Sequence, residues 1–266
     1  MSLRTKINGF REIWKFDNRV WLTVSKTLFR EKLQVYRYKG HDILIDHAAG
    51  DANGARDVLT SQMYRRFLPK MRFEGPITIL DLGASNGGFP LLLATSGIDL
   101  KKVVSVELNP RTYARLHFNL NRNLDCEIVA LNAALCGERR YLEVSLGNGS
   151  VSDNIYGQNP DLDCKIYKIE GLTFDDLYNE YFCDEVVDIC KIDVEGAEFE
   201  VFSHPTHIKL KNCRYLIMEI HEKGRRLASE ILPEVERFGF VEQTPDAGAD
   251  PTVHFFINSG YSQIGS

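Results

Sequence analysis

The sequence predicts an α/β protein on a doubly wound, mostly parallel sheet with an N-terminal helical and hairpin extension. Three observations carry that prediction. Five short apolar runs follow one another from residue 76: ITILDLG, KVVSVEL, CEIVALNAAL, VVDICKID and CRYLIMEIH. Runs of this kind suit parallel strands covered on both faces. Stretches of helical spacing separate several of them, such as Tyr113, Leu116 and Leu120 between the second and third, and alternating strand and helix builds a parallel sheet. The first run ends in a glycine-rich turn, LGASNGGF, of the sort that hands a strand over to a helix.

Element by element, Phe10, Ile13, Trp14, Trp21, Val24 and Leu28 recur at roughly helical spacing, so one or two amphipathic helices are expected within residues 8–30. KLQVYRYKGHDILID reads as a hairpin about Lys39-Gly40-His41, and GDANGA as a loop. Asp57 can cap a helix through about Leu68, with Val58, Met63, Phe67 and Leu68 on its apolar side and Pro69 helping to stop it. RRYLEVSLG interrupts the later alternation as an added strand or hairpin. ASEILPEVERFGF reads as a helix ending near Gly239, and TVHFFINS as a last strand. Residues 1–75 are thus expected as an extension that caps the site or contacts substrate or another copy. Residues 76–258 form the main domain and 259–266 a tail.

At 266 residues the chain accommodates one large domain with an accessory piece. Its 44% hydrophobic and 26% charged residues are ordinary for a globular protein. No apolar run approaches the ~18 residues of a membrane helix, and MSLRTKINGF lacks the apolar core of a signal peptide, so a cytoplasmic protein is expected. The six cysteines (126, 136, 164, 183, 190, 213) contain no C-x-x-C pair, which disfavours a zinc cluster or a disulfide framework. Cys190 and Cys213, beside apolar segments, read as small core residues.

Charge is uneven. The first 40 residues carry ten Lys and Arg against Glu12, Asp17 and Glu31, a balance of +7, which leaves −12 for the rest of a chain whose net charge is −5. The arm is expected to lie on its own acidic body. A nucleic acid, an anionic membrane surface or a second copy of the chain are its alternative partners. The acidic body argues against nucleic acid as the main substrate.

In open α/β sheets ligands bind beyond the carboxyl ends of the strands. At the first exit, Asp81 can accept a hydrogen bond, and Gly83 and Gly87 let backbone approach a ligand across Ala84, Ser85 and Asn86. At the second, Glu107, followed by Leu108, stands where an acid accepts both ribose hydroxyls of a nucleoside. At the third, Asn132 and Ala133 fall beside the expected base, a small residue admitting the ring and an amide able to pair with its edge. The chain has no G-x-x-x-x-G-K-[ST] and no complete G-x-G-x-x-G. A phosphate-free nucleoside, S-adenosylmethionine, is therefore favoured over a nucleotide or a nicotinamide.

The blocks ITILDLGASNGGF, VVSVELNPRTYARLHFNLNRN, LNAALCGERRYLEV, GLTFDDL, DICKIDVEGAEFEVF and YLIMEIHE resemble, in order and spacing, the FkbM family of S-adenosylmethionine-dependent methyltransferases. The resemblance covers roughly residues 76–222, and KIDVEGAE is its most distinctive block. It implies a seven-stranded methyltransferase sheet and methylation of hydroxyls on sugars, glycans or polyketide-like metabolites. It assigns Asp81, Gly83 and Gly87 to the cofactor loop, Glu107 to the ribose, and Asn132 and Ala133 to the neighbourhood of adenine. Ser85 replaces the family's usual Asn, Pro90 a hydroxyl residue, and Leu108 a Pro.

DICKIDVEGAEFEVF aims three carboxylates past the end of an apolar strand. Glu198 reads as an acid at the positive end of a helix, worth roughly 0.3–1 kcal/mol. Asp193, at the fourth exit, can hold the donor's ammonium or orient an acceptor, and Glu195 is a second catalytic candidate. His221, just past the fifth strand, is the expected general base, with an ordinary pKa of about 6.5. Asp193, Glu219 and His221 are the set that a divalent ion would use, although a metal is not favoured. The reading is an S-adenosylmethionine-dependent methyltransferase acting on a hydroxyl of a small molecule or glycan. An NAD-dependent oxidoreductase on the same sheet and a non-catalytic scaffold are its rivals.

Overall fold

The computed structural model describes residues 12–29, 31–51, 54–147, 155, 164–222, 226–245 and 250–261. Strands β1 (Leu33–Tyr38) and β2 (His41–Asp46) form a separate hairpin. Lys39 and Gly40 at its tip both have positive φ, 47° and 83°, as a tight two-residue hairpin turn requires.

The main sheet consists of β3 (Ile77–Leu82), β4 (Leu100–Glu107), β5 (Glu127–Leu135), β6 (Arg140–Leu146), β7 (Lys165–Leu172), β8 (Val187–Ile192), β9 (Cys213–Glu219), β10 (Phe240–Glu242) and β11 (Val253–Asn258). Its order is β10-β11-β9-β8-β3-β4-β5-β7-β6. The run from β9 to β7 is parallel; β11 near one edge and β6 at the other run against it, and β10, antiparallel to β11, runs with it. Among the described residues the sheet thus has nine strands where the family resemblance implied seven. The added pair is β7 and β6, and the second is the strand expected from RRYLEVSLG.

Strand β3 is buried along its whole length, and its side chains alternate between two cores as the period of two demands. Ile77 and Ile79 face one cluster with Leu91, Leu116 and Leu120, while Leu80 and Leu82 face the other with Phe174, Tyr178 and Val201. Both faces are therefore covered by helices. Truncating Leu80 or Leu82 to alanine would cost about 2–5 kcal/mol. Cys190 and Cys213 are fully buried, as their apolar neighbours suggested.

The extension joins the first of these cores through Ile13, Phe16, Leu22, Tyr36, Ile43, Leu59 and Tyr64. Polar contacts fix its position. Helix Pro110–Asn123 turns Asn119 and Asn123 toward β2, where their side-chain oxygens accept from the N–H groups of Leu44 (2.7 Å) and Asp42 (2.8 Å). Their amide nitrogens donate to the carbonyls of the same two residues. Buried Arg115 clamps Asp51 with two guanidinium nitrogens.

Two expectations for the extension are corrected. In residues 12–29 the helices are short, Arg19–Val24 followed by a wide-turn segment Ser25–Phe29, and their phase differs from the predicted one. Ile13, Phe16 and Leu22 face inward, whereas Trp14, Trp21 and Leu28 are exposed; Phe10 lies outside the described residues. The helix expected through Leu68 stops at Thr60. Asp57 lies inside its first turn, and Pro69 sits within a separate 3-10 helix, Arg65–Lys70. The cap comes instead from another element: Asn86 Oδ1 accepts from the N–H of Ala55 at 2.7 Å.

Candidate functional site

The strand order reverses between β3 and β8, so the connections leaving their carboxyl ends part to opposite faces of the sheet and leave a crevice. The chain narrows the crevice floor with a glycine. Gly83 has φ +78°, and a Cβ at this position would overlap the carbonyl oxygen of Asp193. Only a residue without a side chain lets the β3 exit approach the β8 exit, where the N–H of Asp193 donates to the carbonyl of Leu82 at 2.9 Å.

Glu107, the last residue of β4, organises the adjoining turn. One carboxylate oxygen accepts from the N–H of Ser85 (2.9 Å) and the other from the N–H of Asn109 (2.8 Å). Ser85 is held there at φ +48°, outside the usual region for a residue with a side chain. The carboxylate is almost buried yet borders a cavity of about 230 Å³. The cavity's walls are Gly83, Ala84 and Ser85 at the first exit, Glu107 and Leu108 at the second, and Ala133 to Leu135 at the third. Asp193, Val194, Glu195 and Glu219 line the fourth and fifth exits, and Gly54, Val58, Met63 and Tyr64 close the cavity from the extension.

Of the residues singled out from sequence, Gly83, Ala84, Ser85, Glu107, Leu108, Ala133, Asp193, Glu195 and Glu219 meet at this cavity. Five others serve the frame around it. Asp81 is fully buried and pairs with the ammonium of Lys191 at 3.4 Å. Asn86 caps the helix Ala55–Thr60, and Gly87 (φ +91°) faces Leu116 and Leu120. Asn132 donates its amide to the carbonyls of Glu107 and Leu108, both at 2.9 Å, and so braces the β4 exit. His221 stands behind the acids rather than on the wall.

That placement changes the reading of His221. Its Nδ1 lies 3.2 Å from Oε1 of the fully buried Glu198, and its Nε2 lies 3.6 Å from both Glu195 and Glu219 and 3.8 Å from Asp193. Burial pulls the imidazole pKa down, but the Glu198 hydrogen bond and the surrounding carboxylates outweigh it and push it up to about 9. The ring is a cation near neutral pH and has no lone pair with which to take a proton. Burial first, with neighbouring acids adding to it, raises Glu195 and Glu219 each to about 7. The groups poised near neutrality are thus the two glutamates.

Glu198 begins the helix Glu198–Ser203, as its sequence reading required. It also accepts from the N–H groups of Gly196 (2.8 Å) and His221 (2.6 Å), tying that helix start to the β9 exit. Asp193, Glu219 and His221 can bring one ligand atom each within 4.8 Å of one another. A divalent ion at this set would have to displace the proton on His221.

Sequence reasoning missed Lys191, Tyr64, Met63 and Thr112, which also line the cavity. Lys191 had a signal: a lysine inside the apolar run DICKI needs buried partners. It finds them in Asp81, in Asp193 at 3.2 Å and in the carbonyl of Gly83 at 3.0 Å. Burial opposes its charge, but Asp193 and Asp81 outweigh burial and keep it protonated. Tyr64 donates to Asp193 Oδ2 at 3.1 Å, and nothing in its local sequence announced that.

The family model described as methyltransferase FkbM domain matches residues 81–242, more than half of the chain. No curated protein sequence matches it. Among solved structures, methyltransferase FkbM from Methylobacillus flagellatus aligns with TM-score 0.45 and 18% identity over 73% of this chain and 47% of its own. The chain therefore spans about half the length of that protein. TrmK of M. capricolum in complex with S-adenosyl-homocysteine aligns with TM-score 0.43 and 10% identity over 75% of this chain and 67% of its own. Aeropyrum pernix fibrillarin with natively bound S-adenosyl-L-methionine gives TM-score 0.42 and 14% identity over 84% and 81%.

Proposed function

Because the chain belongs to the FkbM methyltransferase family, we propose that it transfers a methyl group from S-adenosylmethionine to a hydroxyl of a small molecule or glycan. The observation that carries this reading is Glu107, an anchored carboxylate on the cavity wall facing the Gly83–Ser85 turn. A carboxylate has about four acceptor positions, so it can hold backbone N–H groups and the two ribose hydroxyls together. Ala133 and Leu108 offer an apolar slot for a flat base. When bound, the cofactor supplies a methyl group on a sulfonium centre.

The chain's own residues would do the rest. Gly83, Ala84 and Ser85 approach the ligand with backbone alone. Asp193, fixed by Lys191 and Tyr64, receives a positively charged group at the fourth exit. Glu195, near pKa 7 on the cavity wall, takes the proton of the acceptor hydroxyl as the new carbon–oxygen bond forms. His221 holds the three acids in place as their counter-ion, the role that its geometry supports in place of general base. Residues 54–64 form the acceptor side of the cavity and shield it from water. No divalent ion is assigned a part in the proposed reaction, and a chelator is expected to leave turnover intact. Cysteines without a C-x-x-C pair suit a cytoplasmic setting.

The test is to incubate the protein and labelled donor with a metabolite extract and follow label by mass spectrometry. Label should enter a hydroxyl-bearing compound, with S-adenosylhomocysteine as co-product. Binding of NAD(H) without any binding of S-adenosylhomocysteine would overturn the reading.

A further inference from the structure

The basic arm carries an apolar face that the fold leaves uncovered. Helix Arg19–Val24 and the segment Ser25–Phe29 bury Leu22 and Ser25 against the body. On the solvent side, Val20 is 70% exposed, Trp21 56%, Leu28 72% and Phe29 59%, and Trp14 beside them is 61% exposed. The rings of Trp21 and Phe29 lie 6.3 Å apart, and the Arg19 guanidinium sits 5.5 Å over the Trp14 ring. Single exposed apolar residues are ordinary, but a cluster of five large ones within sixteen positions marks a contact surface.

Exposed cations lie in the same segment: Arg19, over the Trp14 ring, and Lys32. The arm was expected to lie on its acidic body, yet Arg19 and Lys32 make no ion pair among the described residues. Arg37 pairs with Asp42 across its own hairpin. Arg19 and Lys32 thus stand as exposed cations of this segment, whereas Lys15 Nζ donates to the carbonyl of Thr60 and Lys39 Nζ to that of Thr95.

We propose that this face docks the protein on an anionic lipid surface, with the Trp, Leu and Phe side chains entering the headgroup layer and the lysines and arginines meeting lipid anions. Tryptophan suits that boundary because its ring is apolar and its N–H polar, and long basic side chains reach past buried stems to charged headgroups. A two-fold contact between arms would place +7 against +7. A nucleic acid would meet the cations but leave Val20 and Leu28 without partners. Lipid anions satisfy both halves of the face. This inference stands independently of the methyl-transfer reading.

Trp14 and Trp21 are the only tryptophans in the chain, so intrinsic emission reports this surface alone. The full chain is mixed with vesicles of phosphatidylcholine, or of phosphatidylcholine and phosphatidylserine in equal parts. Expected are a blue shift and co-sedimentation with the second only, loss of both on adding salt, and quenching by brominated acyl chains. Trp21→Glu with Leu28→Glu, and separately Arg19→Glu with Lys32→Glu, should each weaken co-sedimentation by about tenfold or more with unchanged thermal melting. No blue shift on the anionic vesicles, or equal binding to the zwitterionic ones, would overturn the proposal. So would a lipid-free dimer that Trp21→Glu dissolves, or tighter binding to a nucleic acid duplex than to vesicles.

Discussion

Replacing Glu107 by glutamine removes a charge while keeping the side chain's shape, and its consequences can be worked from four of its contacts. Two are internal: the N–H groups of Ser85 and Asn109, one on each carboxylate oxygen. Hydrogen bonds to a charged group are worth about 1.5–3 kcal/mol each. Glutamine keeps one acceptor oxygen and turns an NH2 group toward the other N–H, so one bond is lost and two donors face each other. The expected destabilisation is about 2–3 kcal/mol, or roughly 5–10 °C in melting temperature for a chain of this size. The other two contacts are the proposed ribose hydroxyls. Each falls from a charge-assisted to a neutral bond, a loss of about 1–1.5 kcal/mol, so affinity for S-adenosylhomocysteine should drop roughly 30- to 150-fold. Calorimetry with S-adenosylhomocysteine and its 2′-deoxy analogue separates a lost contact from a loosened turn. The wild type should penalise the deoxy analogue, and Glu107→Gln should penalise it less. An equal penalty in both proteins, or affinity within about twofold of wild type, would refute the placement of the ribose.

Glu195→Gln should lower kcat about 100-fold or more, the scale of a lost general base, with affinity for S-adenosylhomocysteine nearly unchanged; in the wild type kcat/KM should rise with pH through about 7, where Glu195 loses its proton. Unchanged turnover would remove Glu195 from the reaction. The imidazole of His221 should titrate near pH 9 by NMR, and Glu198→Gln should move that transition down; a value at the ordinary 6.5 would contradict the four-carboxylate cluster. Since the folded pKa lies above the unfolded one, the stabilisation from His221 is fully present below about pH 6.5. It is lost as pH rises through 9, at most about 3 kcal/mol, so melts between pH 8 and 10 should fall. Gly83→Ala should abolish a soluble folded product, because its Cβ meets backbone at Asp193. Gly97→Ala, at a similar φ (+82°) with nothing within 4 Å, should cost only about 1–2 kcal/mol.

The parallel strands were legible because apolar runs such as ITILDLG and VVDICKID record burial on two faces, and each became a strand of the sheet. Glu107 and Gly83 were legible because strand ends in this architecture face a crevice. The extension was harder to read. Its helical spacing mixed residues that face inward, such as Ile13, with residues that face solvent, such as Trp21, and only tertiary contact sorts them. Asn132 and His221 were read by position along the chain, but their partners, the carbonyls of residues 107 and 108 and the Glu198 carboxylate, come from remote segments. Tyr64 reaches Asp193 across 129 positions, a pairing that no local pattern encodes.

The contact between Asn86, Gly88 and Ala55 limits how this protein can be re-engineered. Asn86 caps the helix that begins at Ala55, and a Cβ on Gly88 would strike the Ala55 backbone. A chimaera that imports another protein's first 75 residues, hoping to borrow its acceptor preference, must therefore import a matching 86–88 tripeptide as well. Specificity and cofactor loop would have to be exchanged as a single cassette.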